Sequence, residues 1–300
     1  MVYTVTLNPA LDYVLSVDKL NFDDINRASE EKIYYGGKGI NVSAILSQLN
    51  IENKALGFVG GFSGKKLCEL LEKDSINTDF TEITSGETRI NVKIKSETEL
   101  DINADGPSVS DKETEKFFEK IKKISDNDFV VLAGSVPKSF PENIYEKIIE
   151  NLSEKKVNFI IDTADKSLKA LLKYNPFLIK PNHHELGDFF GTKIESENDI
   201  IFYAKELQKL GAKNVLVSRA ENGAILLDEN GYISKTGTAS GKLINSVGCG
   251  DSMVAGFIAG YIERHNYEYA LRLGTACGCA TAFSPTLAKR KEIFNILETL

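Results

Sequence analysis

The run Asn245-Ser246-Val247-Gly248-Cys249-Gly250-Asp251-Ser252 precedes a stretch with helical apolar spacing at Met253, Val254, Phe257, Ile258 and Tyr261. Glycines at 248 and 250 leave the main chain bare where that helix would begin. Unpaired N–H groups and the positive end of the helix dipole there attract anions. A carboxylate in the first turn, Asp251, can accept a proton from a hydroxyl brought up to a transferring phosphoryl group. Asp and Ser at such positions also serve simply as helix caps, so the run taken alone fits both roles. A second run, Gly36-Gly37-Lys38-Gly39-Ile40-Asn41-Val42-Ser43, lets a ligand approach the main chain and adds the charge of Lys38 and the amide of Asn41. A plain Gly-rich turn with a solvated lysine has the same composition.

Spacing excludes two familiar phosphate loops. A Walker A loop ending at Gly64-Lys65 requires glycine at 59, where Val59 stands, and a dinucleotide fingerprint from Gly248 requires glycine at 253, where Met253 stands. The 36 Lys and Arg against 43 Asp and Glu leave a net charge of −7, so no global basic field exists to draw in nucleic acid. An anionic substrate must therefore be held by a few local cations. Four cysteines without a CxxC spacing suit reduced thiols, and Cys277 and Cys279 fall in a small-residue segment that suits packing better than metal binding. His183 and His184, as helix neighbours, are expected to point apart, which argues against a chelating pair. Neither a signal-peptide pattern at Met1 to Leu7 nor an apolar run of bilayer length is present, and a cytoplasmic location without membrane partners is expected.

The elements that must position these residues follow from the apolar pattern. With 42% hydrophobic residues in 300, there is material for a full core. Val2 to Leu7 reads as a first strand; Lys54 to Val59 leads through Gly60-Gly61 into a helix over Gly64 to Lys73. Phe129 to Ala133, Asn158 to Ile161, Phe177 to Ile179 and Asn214 to Val217 are short apolar runs between amphipathic stretches, the pattern of a parallel sheet covered by helices. Val217 to Ala224 reads as strand, turn, strand around Asn222-Gly223. Thr88 to Lys95 alternates strictly, turns at Ser96 to Thr98 and alternates again over Glu99 to Asn103, which predicts an antiparallel hairpin with one polar face. With the strand-like Tyr13 to Val17 and Lys32 to Tyr35, it predicts a small second sheet inserted as a lid.

The two glycine runs, in this order, resemble the paired signatures of the ribokinase-like sugar kinases over nearly the whole chain. The likeness is carried by Thr6 to Asp12, Gly36 to Ser43, Thr88 to Lys93, Lys180 to Glu185 and Asn245 to Phe257. It is greatest toward the branch acting on fructose 1-phosphate, with the tagatose 6-phosphate kinases as nearest sibling. The resemblance implies one kinase domain over 1–300: an α/β three-layer sandwich with a mainly parallel central sheet and a β lid from about 11–17, 32–36 and 88–103. It implies transfer of the γ-phosphoryl group of ATP, with Mg2+, to fructose 1-phosphate, giving fructose 1,6-bisphosphate. Tagatose 6-phosphate and fructose 6-phosphate remain open as acceptors. A sugar-phosphate sensor on the same fold would need no base, and Asp251 argues against it.

Position by position, Asp251 matches the catalytic base, and Gly248, Cys249 and Gly250 match the anion hole. Cys249 stands where the family more often has alanine, which introduces a possible site of oxidation. Asp12, Gly37, Lys38 and Asn41 match sugar-binding positions, and Ser135 a loop that closes on the substrate. Arg89, with Lys38 and Arg27, is the candidate grip on the phosphate already carried by the sugar. The nucleotide falls to Lys180, to Gly250 and Asp251, and to the loop Ser218, Arg219, Ala220, Glu221, Asn222 and Gly223, with Ala220 where glycine is usual. Asn182 and Glu185, three apart and so expected on one helix face, match the residues that organise the magnesium ion and its waters. The lid's exposed edge and apolar face lead us to expect a homodimer.

Overall fold

Strands lacking a polar face must be covered on both sides, and the central sheet meets that requirement residue by residue. The computed structural model describes residues 1–97, 99–163 and 167–300. Among these, nine strands run in the order β13 (Ile233–Thr236), β12 (Ala224–Leu227), β11 (Asn214–Ser218), β10 (Leu178–Ile179), β9 (Asn158–Asp162), β8 (Phe129–Ala133), β1 (Val2–Thr6), β4 (Asn53–Val59) and β5 (Thr81–Glu82). All neighbours from β5 to β11 pair parallel, and β12 and β13 close the far edge antiparallel. Val130 and Leu132 of β8 face one core with Val215 and Val217 of β11, while Val131 and Leu216 face the other.

The first core is covered by α3 (Asp111–Ile121), α4 (Ile144–Glu150), α5 (Ser167–Leu171), α6 (His183–Phe190) and α7 (Glu197–Lys209). The second lies under α1 (Lys38–Gln48), α8 (Cys249–Arg264), α9 (Tyr267–Ala282) and α10 (Arg290–Leu297). These layers form the expected sandwich, with β1 inside the sheet. The remaining helix, α2 (Gly61–Lys73), starts three residues before the expected Gly64 because the Glu87 carboxylate accepts from the Ser63 N–H (3.4 Å) and hydroxyl (3.3 Å) in its first turn.

A separate four-stranded sheet has the order β3 (Glu30–Gly36), β2 (Ala10–Ser16), β6 (Arg89–Lys95), β7 (Glu99–Ile102). The expected hairpin is β6 and β7, paired antiparallel; Thr98 of its turn lies outside the described residues. Register sorts the side chains of this lid cleanly. Leu11, Tyr13 and Leu15 lie beside Ile90, Val92 and Ile94 on one face, and Asp12 lies beside Asn91 on the other. The apolar face begins on α2, where Leu11 and Ile90 pack with Leu67 and Leu71. The polar face is left for the ends of the parallel strands.

Candidate active site

In open α/β sheets, ligands collect beyond the carboxyl ends of the strands, where the order reverses. Here the order departs in opposite directions from β1 and β8, and the candidate residues gather at those ends. Gly248 is the N-cap of α8 at φ 79°, a left-handed conformation that glycine adopts without strain, and it makes no side-chain cap. The first amides of α8 therefore have no capping side chain. Ser252 is turned away, its hydroxyl 2.8 Å from the Gly248 carbonyl and 2.8 Å from the Thr281 hydroxyl. Asp251, only 6% exposed, accepts a hydrogen bond from Asn41 Nδ2 at 2.8 Å. Neither side chain caps the helix.

Two lysines flank the carboxylate. Lys180, at the end of β10 and 7% exposed, lies 3.3 Å from Asp162 Oδ1; its ammonium would stand 3.1 Å from a Cβ added at Gly250. The bare glycine is what lets that charge rest against the first turn of α8. Lys38, at the start of α1, lies 3.8 Å from Asp162 Oδ2 and 3.5 Å from its carbonyl. Burial, and next the charge of Asp162, push the Asp251 carboxyl up to about 6 against the Asn41 bond and the two lysines. Burial pulls Lys180 down, but the carboxylates of Asp162, Asp251 and Glu185 prevail and leave it above the ordinary lysine value. A buried base near neutrality beside fixed cations is an arrangement for taking a proton while holding phosphate oxygens.

On the lid, Asp12 accepts from Asn91 Nδ2 at 2.8 Å and lies 3.8 Å from Lys93 Nζ. Gly36 is bare against that carboxylate, since a Cβ there would come within 3.0 Å of Asp12 Oδ1. Gly37, at φ 122°, caps α1. Arg89 donates to the carbonyls of Asn8 and Ala104, both at 3.2 Å. Lys38 and Arg89, expected on the same phosphate, have different protein partners: Asp162 for Lys38 and the Asn8 and Ala104 carbonyls for Arg89. Ser135 is exposed on the loop after β8, next to Gly134, whose bare Cα faces the Lys38 stem. Arg27 is exposed between β2 and β3 and makes no ion pair among the described residues.

The family model described as pfkB family carbohydrate kinase matches residues 5–290. The chain belongs to that family. Over 297 residues it is 44% identical to the 1-phosphofructokinase of Bacillus subtilis strain 168, covering 99% of this chain and 97% of that one. It is 38% identical over 288 residues to the D-tagatose-1-phosphate kinase of Bacillus licheniformis, covering 96% and 94%. Phosphofructokinase-2 from Escherichia coli, solved in complex with substrates and products, superposes with a TM-score of 0.94 at 26% identity, covering 100% of this chain and 99% of that one. The kinase is a phosphotransferase with an alcohol group as acceptor.

Two readings change with the kinase's geometry. Asn182 is the N-cap of α6 and not on its face: its Oδ1 accepts from the N–H groups of His184 (2.8 Å) and Glu185 (2.9 Å), and Glu185 Oε2 accepts from the Asn182 N–H at 2.8 Å. That capping box leaves Glu185 one oxygen without a protein hydrogen bond among the described residues, enough for an ion that keeps most of its waters. His183 and His184 do not point apart, because their positions at the helix start let the rings lie 3.9 Å centre to centre. Burial, then the Asp251 charge, push the half-buried Cys249 thiol up to about 11, which disfavours the thiolate at neutral pH.

The loop after β11 is the hairpin expected, and it departs from regularity where the sequence does. Ala220 is held at φ 49°. Gly223, at φ 81°, has no room for a Cβ, which would fall 2.0 Å from the Thr236 carbonyl. Arg219 is turned toward α7, where its guanidinium meets Glu197 at 2.6 Å. Ser218 bridges to Asn182, joining this loop to the α6 cap, and the Glu221 carbonyl accepts from the Thr238 hydroxyl at 2.8 Å. Asn222 closes the turn, its N–H donating to the Arg219 carbonyl at 3.0 Å. The residue that sequence reasoning passed over is Asp162, which joins both lysines. Its signal was a lone carboxylate ending the apolar run Phe159-Ile160-Ile161, at the carboxyl end where such sheets place their chemistry.

Proposed function

We propose that this chain phosphorylates fructose 1-phosphate on its 6-hydroxyl with ATP as donor, and that Asp251 is the base. The carrying observation is a buried carboxylate, in the first turn of a helix with no capping side chain, between two lysines. Asp251 takes the hydroxyl proton as the sugar oxygen bonds to the γ-phosphorus. The bond from that phosphorus to the β–γ bridging oxygen breaks, and ADP leaves with the electron pair. Lys180 and the amides of Gly250 and Asp251 stabilise the transferring oxygens. Lys38, beside Asp162, belongs to this end of the reaction, whereas Arg89 on the lid is the grip for the phosphate already on the sugar. Mg2+ supplies charge neutralisation on the ATP phosphates when bound, and Asn182 and Glu185 would hold its waters.

The names carried by the relatives support a ketose 1-phosphate as acceptor. Tagatose 1-phosphate is the second reading, since one relative is named for it and the sugars differ in the orientation of one hydroxyl. In this reading Asp12, which accepts from Asn91 and lies beside Lys93, recognises a sugar diol. A coupled assay across fructose 1-phosphate, tagatose 1-phosphate, tagatose 6-phosphate, fructose 6-phosphate and free fructose should give the highest kcat/KM on fructose 1-phosphate. Asp251→Asn should lower kcat by about 10²- to 10⁴-fold, and near-normal turnover would rule the base out. We further propose that the apolar face of the lid forms a homodimer.

A further inference from the structure

The glycine run at the start of α1 and the glycine run at the start of α8 are joined directly by one hydrogen bond between residues 210 positions apart in sequence, Asn41 Nδ2 to Asp251 Oδ2 at 2.8 Å. Both side chains are buried, Asn41 8% exposed and Asp251 6%. A Cβ added at Gly248 would come within 3.5 Å of the Asn41 amide nitrogen, so the glycine turn that opens α8 also borders this amide. We infer that Asn41 is a positioning residue for the base, acting through Asp251 as a fixed donor on one carboxylate oxygen and leaving the other oxygen to receive the proton. The inference rests on the reading of Asp251 as the base.

The chemistry requires such a donor. An ionised carboxylate out of water needs its lone pairs met, and a neutral amide satisfies one oxygen without bringing a charge that would compete for the proton. Asp251 is met by Asp162 from the end of β9, Lys180 from the end of β10, and Lys38 and Asn41 from α1, with Cys249 on its own helix. Of these neighbours, Asn41 alone makes a direct hydrogen bond to the carboxylate among the described residues. Asp162 works in the opposite sense, raising the proton affinity of Asp251 through like charge. Asn41 therefore both fixes the carboxylate plane and favours its ionised form.

The test uses Asn41→Leu, which keeps the shape without the donor, and Asn41→Ser, which is too short to reach and is carried in case the first variant does not fold. Two readouts are taken on the full-length enzyme: the pH dependence of kcat with fructose 1-phosphate and Mg-ATP, and the titration of the Asp251 carboxyl carbon by 13C NMR without substrate. The expected result is an acid limb and a carboxyl titration both moved up by about one pH unit relative to wild type. With them should come a fall in kcat of about tenfold. A carboxyl titration and an acid limb that do not move would overturn the inference, whatever the change in KM. The NMR arm separates this from the base itself, because Asp251 titrates in the unliganded protein whether or not Asp251→Asn retains activity.

Discussion

As the proposed base, Asp251 would have to be ionised, yet it is held where ionisation is disfavoured, and this conflict has a thermodynamic sign. Its carboxyl protonates at about 6 in the fold, against about 4 in an unfolded chain. Between those values the folded state binds more protons, so stability falls as pH rises through that window, and above it the full cost is carried. Asp251→Asn removes that charge from the buried site. It should raise Tm at pH 7.5, by about 2–4 °C for each 1 kcal/mol relieved in a chain of this size, with the gain shrinking below pH 5. Calorimetry at pH 7.5 and pH 4.5 checks both the direction and the convergence; a lower Tm at pH 7.5 would contradict the assigned environment. Cys249, two residues earlier, is the opposite case of a group kept neutral. With its thiol pushed up to about 11, alkylation by iodoacetamide at pH 8 should run far slower than for a free thiol, and Cys249→Ala should keep kcat within about twofold. Rapid alkylation coupled to loss of activity would show the thiol to be exposed and involved.

At the scale of elements, the short hairpin after β11 holds strain that its sequence announces. Ala220 at φ 49° is an L-residue in the left-handed region, which costs about 1–2 kcal/mol relative to the ordinary helical conformation. Ala220→Gly should therefore raise the urea midpoint, by the equivalent of about 1 kcal/mol after glycine's greater unfolded-state entropy is subtracted. A midpoint that drops would mean the backbone at 220 does not hold that conformation. The departure from glycine was legible from the sequence, but its outcome was not, since only the closure between Gly223 and the Thr236 carbonyl fixes the geometry. The strands of both sheets were legible for a simpler reason: apolar runs such as Phe129 to Ala133 and the alternation from Arg89 to Lys95 are direct consequences of two-sided and one-sided burial. Asn182 was misplaced by one structural position because Asn-x-x-Glu suits a helix face and a capping box equally. The Asn41–Asp251 and Asp162–Lys180 pairs were not legible at all, since they are brought together by packing between helices and strands far apart in sequence.

Over the whole molecule, the lid is the part whose burial is unfinished. Its polar face carries Asp12 and Asn91 toward the site, and its other face is largely apolar but rests on α2 at one end, through Leu11, Tyr35 and Ile90. Beyond α2, Ile33 is 40% exposed, Leu100 38% and Ile102 55%, and all four residues of the edge strand β7 are exposed. An apolar sheet face ending in an open edge is a surface that associates, and a second copy presents the same face in the self-complementary manner a two-fold dimer requires. Sedimentation velocity at micromolar concentration should therefore show a dimer. Ile102→Asp places a charge on a side chain already exposed in one copy, so it should change monomer stability by no more than about 0.5 kcal/mol while weakening association at least about tenfold. Because the polar face belongs to the same four strands, release of the dimer should also raise KM for the sugar phosphate more than it lowers kcat. A wild-type protein that sediments as a monomer throughout the micromolar range would leave the apolar face without a partner of its own kind and end this assignment.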